Sequence, residues 1–302
     1  MNSKGSPGNR GAFAVAACAA SEVRGNGEEE ELDGGGRVEP QAMAGLEALM
    51  DAAWPAAERE ESGGWVLRAA SGVTQRANSV WPREPGTDPH ALPTALREAR
   101  LWYRNHRLPL ILQVFEDPRY APLNAVLDEE GFTRQSETLV LVRNSGTDAP
   151  AADTGVEISA RPPAEWLRLW WSVEGRGDDT ALAVARGILE RCPSLYALVR
   201  DDGGRPAAVG RLAVPVGRAD GASGTGGLYC LATSPDARRR GHAARILQAL
   251  LRAGDARGLS GYWLLVMASN AGARELYARA GFTEAGRYLY RQERPKRHLT
   301  GC

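Results

Sequence analysis

The chain has 302 residues, more than the ~100–200 of a single domain, which predicts two compact units and a tail. Hydrophobic residues make up 43% and charged residues 25%, and 37 basic side chains balance 37 acidic ones, an ordinary globular composition that argues against nucleic acid or an anionic membrane as partner. No apolar run reaches the ~18–20 residues of a membrane span, and Cys18, Cys192, Cys230 and Cys302 form no CxxC pair, so neither a metal knuckle nor a redox pair is suggested and reduced thiols in a soluble, cytoplasmic protein are expected.

At the start, Lys4 and Arg10 precede an alanine-rich stretch, Ala12 to Ala20, that is short and weakly apolar for a signal core. Glu28 to Glu31 and Gly34 to Gly36 follow, a composition that cannot bury enough apolar surface to offset the entropy of ordering. Residues 1–42 are therefore predicted to be a disordered tail, with Met43 an alternative start. A first unit, residues 43–144, is expected to hold short strands near Trp65 to Ala70 and Ser79 to Trp81, and a long amphipathic helix from His90 to His106. A strand at Leu110 to Phe115 follows, then a helix through Leu123, Val126 and Leu127, and after Gly131-Phe132 a strand over Leu139 to Val142. Ser145 to Thr154, rich in Ala, Asp, Thr and Pro, reads as a linker.

The second unit, residues 155–302, opens with a strand over Val156 to Arg161 and a helix over Pro163 to Glu174 carrying Trp166, Leu169 and Trp170 at helical spacing. Thr180 is expected to cap a second helix that ends near Cys192. Strands at Leu195 to Arg200 and Ala207 to Val216 flank the turn Asp202-Gly203-Gly204, and the glycine cluster Gly221 to Gly227 reads as a hairpin loop before a strand at Leu228 to Ala232. Ala243, Ile246, Leu247, Leu250 and Leu251 trace one helix face, and a strand follows at Tyr262 to Met267. A short helix over Asn270 to Ala280 and a strand from Phe282 complete the order β-α-α-β-β-β-α-β-α-β. That is a mixed α/β layer, not a doubly wound parallel sheet.

The segment from Leu228 to Ala244 carries the strongest chemical signal. A strand ends, Ser234-Pro235 turns the chain, and a helix opens behind Arg238, Arg239 and Arg240 with small residues at its entrance. Unpaired N–H groups and the partial positive charge of a helix N-terminus receive anions, and Gly241 and Ala243 let a pyrophosphate approach the backbone. Neither GxxxxGK[ST] nor GxGxxG is present, which argues against the usual nucleotide loops.

Arg238-x-x-Gly241-x-Ala243 after a strand resembles the coenzyme A pyrophosphate loop of the GNAT superfamily of N-acyltransferases, and Asn270 through Ala273, Leu276 and Tyr277 to Gly281-Phe282 resembles that superfamily's last helix and following strand. The resemblance covers roughly residues 155 to 292. It implies a GNAT fold that uses acetyl-CoA as cosubstrate. It further implies that Leu231, Ala232 and Thr233 bind the pantetheine arm through backbone groups, that Arg238, Arg239, Arg240, Gly241, His242 and Ala243 hold the pyrophosphate, and that Asn270 and Ala273 border the pantetheine. Tyr277 would stand near the thioester sulfur.

The chemistry requires three services. An N–H, at Leu231, stabilises the oxyanion that forms when an amine attacks the thioester carbonyl. A phenol of reference pKa about 10, Tyr277, gives a proton or hydrogen bond to a leaving thiol of about 8.5. The amine, at about 10.4, must itself lose a proton. The strand Leu228 to Thr233 contains no carboxylate for that task, which leaves a water chain or a carboxylate such as Glu174, Asp178 or Asp179. Cys230 is expected to be a small core hydrophobe, His242 to offer only its backbone N–H, and Trp166, Trp170 and Trp171 to belong mostly to the core.

The segment Leu110 to Val142 echoes Leu264 to Tyr290 around the two Gly-Phe turns, so the chain looks like two tandem copies of one fold, similar to tandem GNAT proteins of actinobacterial type. Leu127 stands where Tyr277 stands in the second copy, and the first helix entrance, Thr87 to Thr94, lacks the phosphate-loop pattern, which predicts that the first copy is degenerate and binds no CoA. The expected acceptor is a small-molecule or peptide amine, and the expected state a monomer or homodimer. A non-catalytic acyl-CoA-binding regulatory module is the alternative.

Overall fold

Met43, Leu46, Glu47, Met50 and Ala53 recur at helical spacing and are all buried, forming the inner face of helix α1 (Pro40–Ala53). In the computed structural model, which describes residues 40–88, 90–146, 155–175, 177–215 and 224–294, this helix is the first element. Residues 1–39 of the tail expected over 1–42, residues 147–154 of the expected linker, Cys18 and Cys302 lie outside the described residues, while residues 40–42 belong to α1 and not to a tail. Neither α1 nor the strand after it was expected from the sequence. β1 (Glu58–Ser62) is charged and exposed, yet it pairs with β2 (Trp65–Ala69) because Gly63 and Gly64 both take positive φ, +56° and +84°, and close a two-residue hairpin.

The strand expected at Ser79 to Trp81 is reduced to single bridges, Val66 with Trp81 and Val80 with Leu112. Helix α2 (Leu92–Asn105) turns Leu92, Leu96, Ala99 and Tyr103 inward. Next come β3 (Ile111–Phe115), α3 (Ala121–Glu129) and β4 (Thr133–Asn144). Beyond residue 154 the chain forms β5 (Val156–Ser159), α4 (Ala164–Glu174), α5 (Asp179–Glu190), β6 (Ser194–Arg200), β7 (Pro206–Ala213), β8 (Thr225–Thr233), α6 (His242–Asp255), β9 (Gly261–Met267), α7 (Ala271–Arg279) and β10 (Thr283–Gln292). This is the order read from the sequence. One cap differs: Asp178, not Thr180, closes the start of α5 by accepting the Ala181 N–H at 3.0 Å, because its side chain stands at the extended residue just before the helix.

Eight strands form one mixed sheet in the order β3-β10-β4-β9-β8-β7-β6-β5. All neighbours are antiparallel except β8 and β9. Residues alternate between its faces. Tyr229 and Trp263 join one apolar cluster with α1, α2, α3 and α4, while the adjacent Leu228, Tyr262 and Leu264 join a second cluster with α6. The division expected at residues 145–154 does not divide the sheet. β10 lies between β3 and β4, and exchanging the unit β3-α3-β4 with β9-α7-β10 maps the order β3-β10-β4-β9 onto its own reverse.

A strand removed from the middle of a sheet leaves its two neighbours with unpaired backbone groups. Residues 40–146 expressed alone should therefore show no cooperative thermal transition by circular dichroism, and neither should residues 155–294, whereas the full chain should melt in one step. Cooperative melting of either fragment would show that the halves are independent domains.

Candidate functional site

The site begins where two parallel strands part. Gly226 and Gly227 lie inside β8 and not in the expected hairpin loop, whose residues 221–223 are outside the described residues. Their small size serves packing. A Cβ at Gly227 would come within 2.5 Å of Trp263, and one at Gly226 within 2.8 Å of Leu212 and Leu259. β8 and β9 pair from Thr225–Gly261 to Leu228–Leu264 and no further. Each strand continues along its outer neighbour, β8 to Thr233 against Ala208 and β9 to Met267 against Thr138. A bulge drives the parting: between the pairs Val209–Ala232 and Arg211–Tyr229, one residue of β7 faces two of β8, Cys230 and Leu231, with Cys230 at φ +55°. The backbone from Tyr229 to Thr233 thus borders a gap in the sheet. This gap holds the predicted residues Leu231, Ala232 and Thr233.

The arginine loop follows directly. Ala237 is buried, while Arg238, Arg239, Arg240 and Gly241 are exposed. Arg239 and Gly241 adopt left-handed backbone at φ +60° and +78°, a pattern in which successive N–H groups converge on an anion. A Cβ on Gly241 would meet nothing within 4 Å, so the space before α6 is open. Ala243 is half-buried. His242 is 8% exposed, and its Nδ1 is buried without a hydrogen-bond partner among the described residues.

Helix α7 has no fully buried residue, and Tyr277 is half-buried. Asn270 caps it, its side-chain oxygen accepting the Ala273 N–H at 3.1 Å. Ala273, Leu276 and Tyr277 lean on the second apolar cluster, the Tyr277 ring 6.1 Å from Phe282. Burial, and after it the charge of Glu174, hold the Tyr277 phenol well above its ordinary pKa. Burial and then Glu174 do the same to the Cys230 thiol, while Arg211 and Arg76 pull it down. The charge of Glu174, at the end of α4, thus acts on both groups, and Trp170 donates its indole N–H to that carboxylate at 2.9 Å. Asp178 is engaged as the α5 cap and Asp179 is exposed in the first turn of that helix. Trp166 and Trp170 are core residues at 0% and 4% exposure. The sequence reading missed Trp54, whose ring lies 5.4 Å from Tyr229, and Arg76. Both come from the other half of the chain, and no motif marks them.

Comparison with known proteins gives consistent matches. Residues 42–291 match a family described as probable histone acetyltransferase Rv0428c C-terminal. The chain is 25% identical to an uncharacterized N-acetyltransferase, YobR, of Bacillus subtilis, over 82% of this chain and 98% of that protein. It is 36% identical to the probable histone acetyltransferase Rv0428c of Mycobacterium tuberculosis over 44% of this chain and 40% of that one. A solved structure, a GCN5-related N-acetyltransferase from Kribbella flavida, is similar in fold, with a TM-score of 0.60 at 23% identity over 86% of this chain and 96% of that one.

The arrangement around Cys230 yields a direct test. A raised pKa leaves less thiolate at every pH below it, so iodoacetamide should label Cys230 far more slowly at pH 8 than it labels free cysteine, as read by peptide mass spectrometry. Glu174→Gln removes one of the two raising influences and should speed the labelling. Equal rates in the two proteins would mean that Glu174 does not face the thiol.

Proposed function

Since the chain belongs to the family described as probable histone acetyltransferase Rv0428c C-terminal and is a GNAT-superfamily N-acetyltransferase, we propose that it moves an acetyl or other short acyl group from CoA to a primary amine by direct attack with both substrates bound. The observation that carries this reading is the gap between β8 and β9 beyond Leu228 and Leu264, with the arginine loop after one strand and α7 after the other. The residues present suit acetyl-CoA. Arg238, Arg239 and Arg240 with the N–H groups from Gly241 to Ala243 would hold its pyrophosphate, the backbone of Leu231 to Thr233 its pantetheine arm, and Asn270 and Ala273 would border that arm. Bound there, CoA supplies the acyl group as an activated thioester and departs as a thiol.

The chain's own groups do the rest. The Leu231 N–H would stabilise the oxygen that gains negative charge. Tyr277 holds its proton, because burial disfavours the phenolate, and so is available to donate to the departing sulfur. Of the carboxylates named from the sequence, Glu174 is favoured to take the proton from the amine. It is neither consumed as a helix cap nor remote from Cys230 and Tyr277. We further propose that the first half is a degenerate copy with no CoA site. Leu127, which matches Tyr277 in position, is fully buried and offers no hydroxyl.

Acetyl-CoA should raise the thermal midpoint of the full chain, because a ligand bound only by the native state stabilises it by mass action. Gly241→Val should abolish that rise, since a β-branched side chain resists φ +78° and fills the open space before α6. An unchanged wild-type midpoint at millimolar acetyl-CoA sinks the cosubstrate assignment. Tyr277→Phe should keep the acetyl-CoA midpoint shift while lowering kcat on the order of 100-fold. Equal kcat in both proteins would leave Tyr277 as packing alone.

A further inference from the structure

On the face of the sheet shared with α1 and α4, Trp170, Trp54 and Tyr229 form a continuous aromatic floor. The Trp54 ring centroid is 6.5 Å from Trp170 and 5.4 Å from Tyr229. At one end stands Glu174, held by Trp170. At the other stands Arg76, from the connection between β2 and α2, with its guanidinium carbon 5.2 Å from the Trp54 ring and 5.3 Å from that of Tyr229. Cys230, next to the proposed Leu231 N–H, feels both charges.

Arg76, which is half-buried, differs from the buried arginines. Arg211 lies 5.7 Å from the same two rings, but it donates to Ser194 Oγ and to the carbonyls of Ala53 and Leu189. Arg68 pairs with Asp51, and Arg291 with Asp128. Among the described residues Arg76 has no ion pair, and its Nε is buried with no hydrogen-bond partner. The groups around it are the phenols of Tyr288, Tyr290 and Tyr229. The carboxylates that share a small cavity with it, Glu47 and Asp51, are committed elsewhere, Glu47 to Trp81 and Tyr120 and Asp51 to Arg68. Ring contacts and a hydrogen bond to the Tyr288 phenol leave the guanidinium charge unneutralised among the described residues, and an anion from outside would pair with it.

We propose that the acceptor amine also carries a carboxylate, which pairs with Arg76 while the amine is directed to Glu174, so that a compact zwitterionic amino acid lies along the aromatic floor beside Cys230. This rests on the acyl-transfer reading and deepens it. The two charges of opposite sign match the two ends of such a molecule.

The test measures thiol release from acetyl-CoA by the full chain with the common α-amino acids and β-alanine, each beside its carboxamide, and with a lysine peptide blocked at both ends. At least one amino acid should be acetylated with kcat/KM on the order of tenfold to a hundredfold above its amide, the range expected for a charged hydrogen bond. Arg76→Met should erase that ratio by raising KM for the carboxylate form, and Arg76→Lys should restore part of it, with acetyl-CoA stabilisation certifying that each variant is folded. Should Arg76→Met fail to fold, the wild-type ratio decides. Amides or the blocked peptide turning over as well as the amino acids would overturn the proposal and leave acyl transfer standing, as would an unchanged ratio in Arg76→Met. No thiol release with any amine would overturn the acyl-transfer reading and this proposal with it.

Discussion

The structure depends on the pairing of β10 on both its edges. Tyr288 to Gln292 run antiparallel to Ile111 to Phe115, and from Thr283 onward the same strand runs antiparallel to β4. Two strands from the first half are thereby joined through one from the second, and neither half closes its sheet without the other. The same strand carries Tyr288 and Tyr290 into the core beside Arg76, and β4, its partner, forms the outer edge of β9. The gap proposed to receive the thioester is thus braced on one side by residues from the first half of the chain.

The gap itself is a product of strand geometry. β8 and β9 each have a firm outer partner, and the bulge at Cys230 and Leu231 bends one away from the other. A parallel pair that ends early leaves donors and acceptors that ligand must satisfy. In the proposed reading a segment without a charged residue lies at the centre of the chemistry, with the arginine loop on the phosphate side and Glu174 and Arg76 on the acceptor side.

Much of this was legible in the sequence, because the informative signals were local. The Arg238 to Ala243 loop, the Asn270 cap and the Gly281-Phe282 turn are set by a few adjacent residues, and the element order of the second half follows from hydrophobic period and turn chemistry. Where local signals were weak, the reading slipped. α1 was obscured by the acidic, glycine-rich stretch before it although Met43, Leu46 and Met50 have helical spacing, and β1 is a charged strand made by its hairpin and not by its composition. Gly226 and Gly227 read as a loop because sequence does not reveal Trp263 pressing on the backbone. The placement of β10, the approach of Glu174 to Cys230 and the arrival of Trp54 and Arg76 from the other half are all nonlocal. Strand partners separated by most of the chain leave no periodic trace.

The position of β10 also sets an order of events during synthesis. β3 and β4 leave the ribosome long before the strand that fills the space between them exists. Until translation passes Gln292, the nascent first half presents two open strand edges with apolar faces, the kind of surface that pairs with other chains. Completion of the sheet is therefore paced by a late, long-range strand insertion, and until it occurs those edges are open to pairing with other chains.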